Sequence, residues 1–316
     1  MGKRVLFIMD PITRLDSQWD NSLALLRELT RRGHVGYICD AGDIRFETDG
    51  IKVRASAAIP SLKNPYDFTV KPAAILKACH FNLIIVRKEP PFNDQYYHLT
   101  LLLDLLAEQI PVSNHPTGIR ETNEKLGTLL FPKWIPETLV TSSWEAILEF
   151  QKKIKDSVVV KPLDQKGGKG IFLIKRNLRI ARRLQRATRN GKKTLLVQRQ
   201  LKSRIDKRII ILNGQILGAF EKHAPRHDFR TNLSLEGTYH PTSVLAREKK
   251  LVREMAPYLT EKGLHLVGID VMEGKLLDFN VTCPAGLTVL RALHSGLSPV
   301  QDWASFLEHL RPEKAS

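Results

Sequence analysis

Apolar runs and helical periodicities alternate along the first 115 or so residues. Arg4–Met9 is an apolar run that stops at Asp10-Pro11, which predicts a strand and then a loop. Trp19, Leu23, Leu26 and Leu29 share one helical face, and Arg31, Arg32 and Gly33 close that helix. Val35–Cys39 and Asn82–Val86 read as strands, Tyr97–Leu106 as a helix and Ile110–Ser113 as a short strand. Strands separated by helices predict a parallel sheet wrapped by helices.

The pattern changes near Ile119. Asn123–Leu130 reads as a helix ended by Phe131-Pro132, and Glu137–Thr141 as a strand. Ser143 is placed to cap a helix over Trp144–Lys153. Ser157–Lys161, Ile171–Ile174, Thr194–Gln198, Arg208–Leu212 and Gln215–Glu221 are strand-like, with Asn213-Gly214 as a hairpin turn. Glu248–Lys262 reads as a helix, and Leu266–Val271 with Lys275–Val281 as a hairpin across Glu273-Gly274. The expected class is therefore mixed α/β (α+β), with units at 1–118, 119–205 and 206–316. No repeat or low-complexity linker divides them.

Composition narrows the class. The chain has 316 residues, 42% of them apolar, enough for about two packed domains. Three separated cysteines (Cys39, Cys79, Cys283) form neither a disulfide framework nor a zinc cluster. No run approaches the length of a membrane span or a signal peptide, so the expectation is a soluble cytoplasmic protein with no membrane partner. The net charge is +16, and it is concentrated. Residues 151–210 hold 20 Lys+Arg against three acids, while the remaining 29 basic and 30 acidic side chains nearly cancel. Such clustering points to an anionic partner, or more plainly to a solvated helix face. Over 178–189 the apolar Ile180, Ala181, Leu184 and Ala187 oppose Arg179, Arg182, Arg183 and Arg186, and Asn190-Gly191 ends the helix.

Three groups of residues could carry chemistry. Gly167, Gly168 and Gly170 would let backbone N–H groups approach an anion, with Lys166 and Lys169 adding charge. A strand follows this loop, so it is neither a Walker A loop nor a dinucleotide fingerprint. Lys161 before it and Lys125 upstream would suit the phosphates of a nucleotide, since a lysine pointing into a cleft needs an anionic partner. Asp278 and Asn280 lie two apart on one strand face, and the hairpin brings Asp270 close to them. Two carboxylates and an amide oxygen suit Mg²⁺; a polar face salt-bridged to Lys275 or Arg208 is the alternative. Arg208 could reach a transferring phosphoryl group. Arg230 and Asn232, in the long polar stretch 222–233, could grip charge from a mobile loop or belong to an ordinary surface loop.

Together these pieces resemble the ATP-grasp ligases. More narrowly, they resemble bacterial glutathione synthetases over nearly the whole chain. The matching segments are Met9–Ile12, Arg87–Phe92, Asn123–Leu126, Pro136–Thr141, Lys161–Asp164, Gly268-Ile269-Asp270 and Asp278–Thr282 with Pro284. The resemblance implies an ATP-grasp fold preceded by an N-terminal parallel α/β domain. It implies ATP held by Lys125, Lys161, the Gly167–Gly170 loop with Lys169, Asp206, and the strand around Gln198. It implies Mg²⁺, with Mn²⁺ as the substitute, on Asp270, Asp278 and Asn280. Arg208 and Arg230 would act in catalysis, and Arg87, Arg230 and Asn232 would hold substrate. The implied reaction joins a carboxylate to an amine through an acyl phosphate, with γ-glutamylcysteine and glycine as the default pair.

The chain also departs from that pattern. Asp278 stands where the family usually has glutamate, and Gln198-Arg199-Gln200 lacks the customary acidic residue of the adenine strand. Asp228–Leu233 looks more like ligases that add glutamate to a protein tail. Two other readings therefore stay open. One is a ligase acting on a peptide or protein tail, with an acidic partner on the 178–189 helix. The other is a non-catalytic polyanion binder on a ligase fold. A homo-oligomer is compatible with all three.

Overall fold

The computed structural model describes residues 2–64, 66–165, 167–175, 180–225 and 238–312. A strand apolar at nearly every position has to be covered on both faces. β1 (Arg4–Met9) is such a strand, buried from Val5 onward. The chain leaves it for α1 (Asn21–Arg31), started by Asp20, whose carboxylate accepts the Leu23 N–H at 2.9 Å. It returns parallel to β1 as β2 (Val35–Cys39). Four strands follow that the apolar pattern had not predicted: β3 (Ile44–Glu47), β4 (Gly50–Pro60), β5 (Phe68–Val70) and β6 (Ala74–Lys77), all antiparallel around β4. β7 (Leu83–Arg87), α2 (Asp94–Ala107) and β8 (Val112–Ser113) then resume the parallel pattern, giving the order β3-β4-β2-β1-β7-β8.

α3 (Pro116–Glu121) leads into a segment predicted to be a helix from Asn123. Only short 3-10 turns form there, at Leu126–Leu130 and Pro132–Trp134. The Asn123 side-chain oxygen accepts the N–H groups of Lys125 and Leu126, both at 3.0 Å, and the Phe131-Pro132 stop follows within a few residues. A local Asx-type turn wins over helix, and it leaves Lys125 at a bend rather than on a helix face.

A four-stranded antiparallel sheet follows, order β11-β10-β12-β9. It is made of β9 (Thr138–Thr141), β10 (Val158–Pro162), β11 (Phe172–Ile174) and β12 (Leu195–Arg199), backed by α4 (Trp144–Ile154) and α5 (Ala181–Ala187). Ser143 caps α4 by accepting the Ala146 N–H at 3.1 Å. Ile147, Val160, Ile174, Leu184 and Val197 form a core belonging to this sheet and its helices. The sheet and its two helices thus pack as a unit with a core of their own, called the lid below.

The third sheet, order β15-β14-β13-β16-β17, comprises β13 (Ile205–Leu212), β14 (Gln215–His223), β15 (Thr238–Pro241), β16 (Leu266–Met272) and β17 (Lys275–Asn280). α6 (Ala246–Glu261) packs Leu251, Met255 and Leu259 on one face. α7 (Leu287–Leu293) and α8 (Pro299–His309) cover the other, where Leu290 and Trp303 share a core with Val5 and Phe7 of β1. The N-terminal and C-terminal sheets are therefore welded through one core. Asn213-Gly214 and Glu273-Gly274 both carry positive φ at both positions (48° and 73°; 51° and 71°), the tight hairpin geometry that their sequences predict. Among the described residues no helix is long and apolar enough to cross a membrane.

Candidate active site

The lid sheet and the C-terminal sheet face each other across a cleft. β10 contributes Val159 and Lys161, β12 contributes Gln198, and Ile171 stands at the start of β11. From the other side come Asp206 of β13, Lys222 of β14, Asp270 and Met272 of β16, and Leu277 and Asp278 of β17. This part of the cleft encloses about 260 Å³. Val159 and Ile171 on one wall and Met272 and Leu277 on the other make apolar layers suited to a flat heterocycle. Gln198 borders that slot with its side-chain Nε2 spent on Thr138 Oγ1 (3.2 Å) and its buried Oε1 without a partner. A second space of about 400 Å³ shares Ile171, Asp270 and Asp278, and extends to Lys125, Gly167, Gly168, Lys169, Arg208, Asn280 and Cys283.

Two ammonium groups reach into this cleft. Lys125 and Lys161 are 6% and 7% exposed. Lys125 Nζ donates to the Gln165 carbonyl (2.7 Å) and Lys161 Nζ to the Leu277 carbonyl (3.2 Å). Neither forms an ion pair with a carboxylate among the described residues, although Lys125 is near enough to the Glu124 carboxyl to pull it down against burial. A buried ammonium held only by a carbonyl is costly unless an anion joins it. Between them Gly167, Gly168 and Gly170 all take positive φ (61°, 74°, 70°), and a Cβ on Gly170 would sit 2.9 Å from Pro162 Cγ. The loop therefore needs glycine for both conformation and space. Lys166 lies outside the described residues.

On the opposite wall is a buried charge cluster. Arg208 grips Asp270 with two hydrogen bonds, Nε to Oδ1 at 2.7 Å and Nη2 to Oδ2 at 3.0 Å. Lys222 Nζ donates to Asp270 Oδ1 at 2.8 Å and pairs with Asp206 at 2.9 Å. Burial alone would push the Asp270 carboxyl up, but Arg208 and Lys222 outweigh it and hold it well below the usual carboxylate range. Burial lowers the two cations in turn, and the carboxylates beside them raise both above their ordinary values.

β-register sets the remaining oxygens. Asp278 stands opposite Asp270, and Asn280 opposite Gly268. Asp278 Oδ1 is buried without a hydrogen-bond partner. Asn280 spends its Nδ2 on the Gly268 carbonyl (2.9 Å), which leaves its carboxamide oxygen for a ligand. An orphaned carboxylate oxygen beside an open amide oxygen fits a hard divalent cation. Asp270 differs from these two, because both its oxygens already hold the Arg208 and Lys222 cations. Asp270 is thus held by two cations while retaining carboxylate lone pairs, and Asp278 and Asn280 each present a free oxygen beside it.

Three expected residues are not among those seen to line these spaces. Arg87 is 3% exposed and does not border the cleft. It donates to Ser22 Oγ (3.0 Å) and the Pro284 carbonyl (3.1 Å) and lies over Trp303, so it ties β7 to the segment before α7. Arg230 and Asn232 lie outside the described residues. Two cleft residues carried no role in the sequence reading. Lys222 was grouped with a polar loop but ends up on β14 between two carboxylates. Glu124, which the sequence shows only as part of the Asn123–Leu126 segment, also lines the larger space. The alternation of Phe220, Glu221 and Lys222 was the available signal for the first.

The model of the prokaryotic glutathione synthetase N-terminal domain matches residues 4–120, and that of the same family's ATP-grasp domain matches 124–295. Glutathione synthetase of Gloeobacter violaceus is 33% identical over an alignment covering 99% of each chain. That of Nitrosomonas europaea is 34% identical, covering 90% of this chain and 91% of its own. Among solved structures, D-cycloserine synthetase DcsG superposes with a TM-score of 0.68 at 15% identity, covering 97% of this chain and all of the other. The chain belongs to the prokaryotic glutathione synthetase family and is an ATP-dependent carboxylate–amine ligase of that type, on the ATP-grasp fold.

Proposed function

We propose that the cleft holds ATP with Mg²⁺, or Mn²⁺ in its place, and that the protein joins γ-glutamylcysteine to glycine. The observation that carries this is the pair of buried ammonium groups, Lys125 and Lys161, without ion-paired carboxylates among the described residues and lining the same cleft as the orphaned Asp278 oxygen and the glycine turn. The apolar slot with Gln198 at its edge takes the base, and Lys125, Lys161, Lys169 and the Gly167–Gly170 amides take the phosphates. Asp206 keeps Lys222 in place beside them. Asp278 and Asn280, with Asp270, would hold the divalent ion, which when bound neutralises phosphate charge and polarises the γ-phosphoryl group.

The substrate carboxylate attacks the γ-phosphorus and expels ADP, giving an acyl phosphate. The amine then attacks the acyl carbon, the C–O bond to phosphate breaks, and an amide results. Arg208, fixed by Asp270, lies beside the open space and offers charge to the phosphoryl oxygens in both steps. Arg230 and Asn232 are assigned to the acceptor side by the resemblance alone, as is Arg87. A lid with its own core suits exclusion of water from the acyl phosphate. Units of 1–118, 119–205 and 206–316 and a cytoplasmic location, where ATP and reduced thiols are kept, go with this reading.

Incubation with ATP, γ-glutamylcysteine and glycine tests it. ADP and glutathione are the expected products. Intact ATP binding with no ADP release in that mixture would remove this substrate pair. A second reading keeps the ligase but moves the acceptor to an acidic tail. It is favoured by one feature: Arg182, Arg183 and Arg186 on α5 have no acidic partner among the described residues. Homo-oligomer formation is compatible with either.

A further inference from the structure

Glu124 is a half-buried carboxylate that the reaction just described does not use. β17 ends at Asn280, so the next two amides, Val281 and Thr282, have run past the end of the strand. One oxygen of Glu124 replaces what they lost. Oε1 accepts the Val281 N–H (3.1 Å), the Thr282 N–H (3.1 Å) and the Thr282 hydroxyl (2.7 Å). The Glu124 carbonyl in turn accepts the Phe279 N–H at 2.8 Å. Four hydrogen bonds from one residue thus hold Phe279 to Thr282, and Asn280 sits in the middle of that span. On its other side Glu124 is covalently joined to Lys125.

We infer that Glu124 is a positioning residue: it anchors the strand end carrying Asn280 to the bend before Lys125, so that the cation-facing carboxamide is held in place, while Lys125 keeps its own anchor on the Gln165 carbonyl. The inference rests on the ligase reading of the cleft. A carboxylate accepting three bonds at one oxygen makes stronger contacts than neutral acceptors do. Burial pushes the Glu124 carboxyl up, against the pull of the Thr282 bonds and Lys125, so ionisation is held against a desolvation cost. Residues that orient metal-facing groups without touching the metal change affinity or activity by about 10- to 100-fold when removed.

The test uses the full chain and compares ATP binding in EDTA with ATP binding in Mg²⁺, by calorimetry, together with the Mg²⁺ dependence of ADP release. For Glu124→Ala the expected result is ATP affinity in EDTA within about threefold of wild type. The Mg²⁺ concentration for half-maximal binding should rise at least tenfold, with kcat falling more than KM for ATP changes. Glu124→Gln keeps an acceptor oxygen at the same place and should recover most of the loss. Thr282→Val removes one of the three bonds and should shift the Mg²⁺ dependence in the same direction by a smaller factor, which serves if Glu124→Ala does not fold. Equal weakening with and without Mg²⁺, an unchanged Mg²⁺ dependence, or a Glu124→Gln defect as deep as that of Glu124→Ala would each overturn the inference while leaving the ligase reading intact. If wild type binds no Mg²⁺–ATP, the ligase reading fails and the inference falls with it.

Discussion

Arg208 and Asp270 meet in a two-bond pair at 2.7 and 3.0 Å on neighbouring strands, β13 and β16, inside the cleft wall. The pair is part of the fold as well as of the site. Asp270 also accepts from Lys222, so removal of its charge leaves two buried cations facing each other. Asp270→Asn should cost about 3–5 kcal/mol of stability at neutral pH. The folded-state pKa is lowered, so the stabilisation is complete above the unfolded value of about 4 and is lost only as pH falls through the lower folded value. Chemical unfolding at several pH values checks this. The gap between wild type and Asp270→Asn should be constant from pH 5 to 8 and narrow below about pH 4. A gap that narrows near neutrality would contradict the assignment.

Lys125 and Lys161 present the reverse case. Each is buried without an ion-paired carboxylate among the described residues, so each strains the empty protein and serves the loaded one. Lys161→Met and Lys125→Met should leave the free protein as stable as wild type, or more stable by about 1 kcal/mol. ATP affinity should fall by about 10- to 100-fold for each, the size of one charge-assisted contact. Thermal melts with and without ATP read both effects together. A loss of stability in the ATP-free protein would mean that these lysines hold the fold rather than the nucleotide.

Much of this site could be read along the chain, for a physical reason. Asp270, Asp278 and Asn280 sit on one hairpin whose Glu273-Gly274 turn fixes the register locally. Lys161 and the glycine loop are likewise neighbours in sequence. What the sequence does not show depends on distant pairing. Lys222 acquires its meaning from Asp270, 48 residues away, and Glu124 from Thr282, 158 residues away. Arg87 likewise takes its contacts from Ser22 and Pro284 on other elements, which its own segment does not announce. The same limit applies to the fold. β1 and β2 are continuous apolar runs, whereas β3, β5 and β6 are only three or four residues long and largely exposed, and the eleven-residue β4 mixes its buried Ile51, Val53 and Ala55 with polar and small residues, so their pattern resembles that of loops.

Asn114 joins the N-terminal domain to the site hairpin. Its Nδ2 donates to the carbonyls of Leu266 (2.7 Å) and Val281 (2.8 Å), and its Oδ1 accepts the Leu266 N–H (2.8 Å). The residue is 5% exposed, so water cannot readily replace these bonds. Asn114→Ala should therefore destabilise the protein by about 3 kcal/mol or more. Val281 is also held by Glu124, so ADP release should fall in the surviving folded fraction too. Unfolding by denaturant, with activity normalised to folded protein, separates the two effects.

The basic surface of α5 is where the two substrate readings divide. Arg182, Arg183 and Arg186 are exposed, and Arg183 lies 4.1 Å from the centre of the Phe172 ring. Lys193 nearby is already paired with Asp164. None of the three arginines borders the cleft. Arg182→Glu combined with Arg186→Glu should leave kcat/KM for γ-glutamylcysteine and glycine within about twofold of wild type, because small substrates meet only the cleft. An acidic peptide acceptor would behave differently. Its KM should rise at least tenfold in the double variant at low salt, and the difference should shrink as ionic strength rises and exposed charges are screened. A double variant indistinguishable from wild type with every acidic peptide at low salt would retire the tail reading. The surplus charge would then be a solvated face.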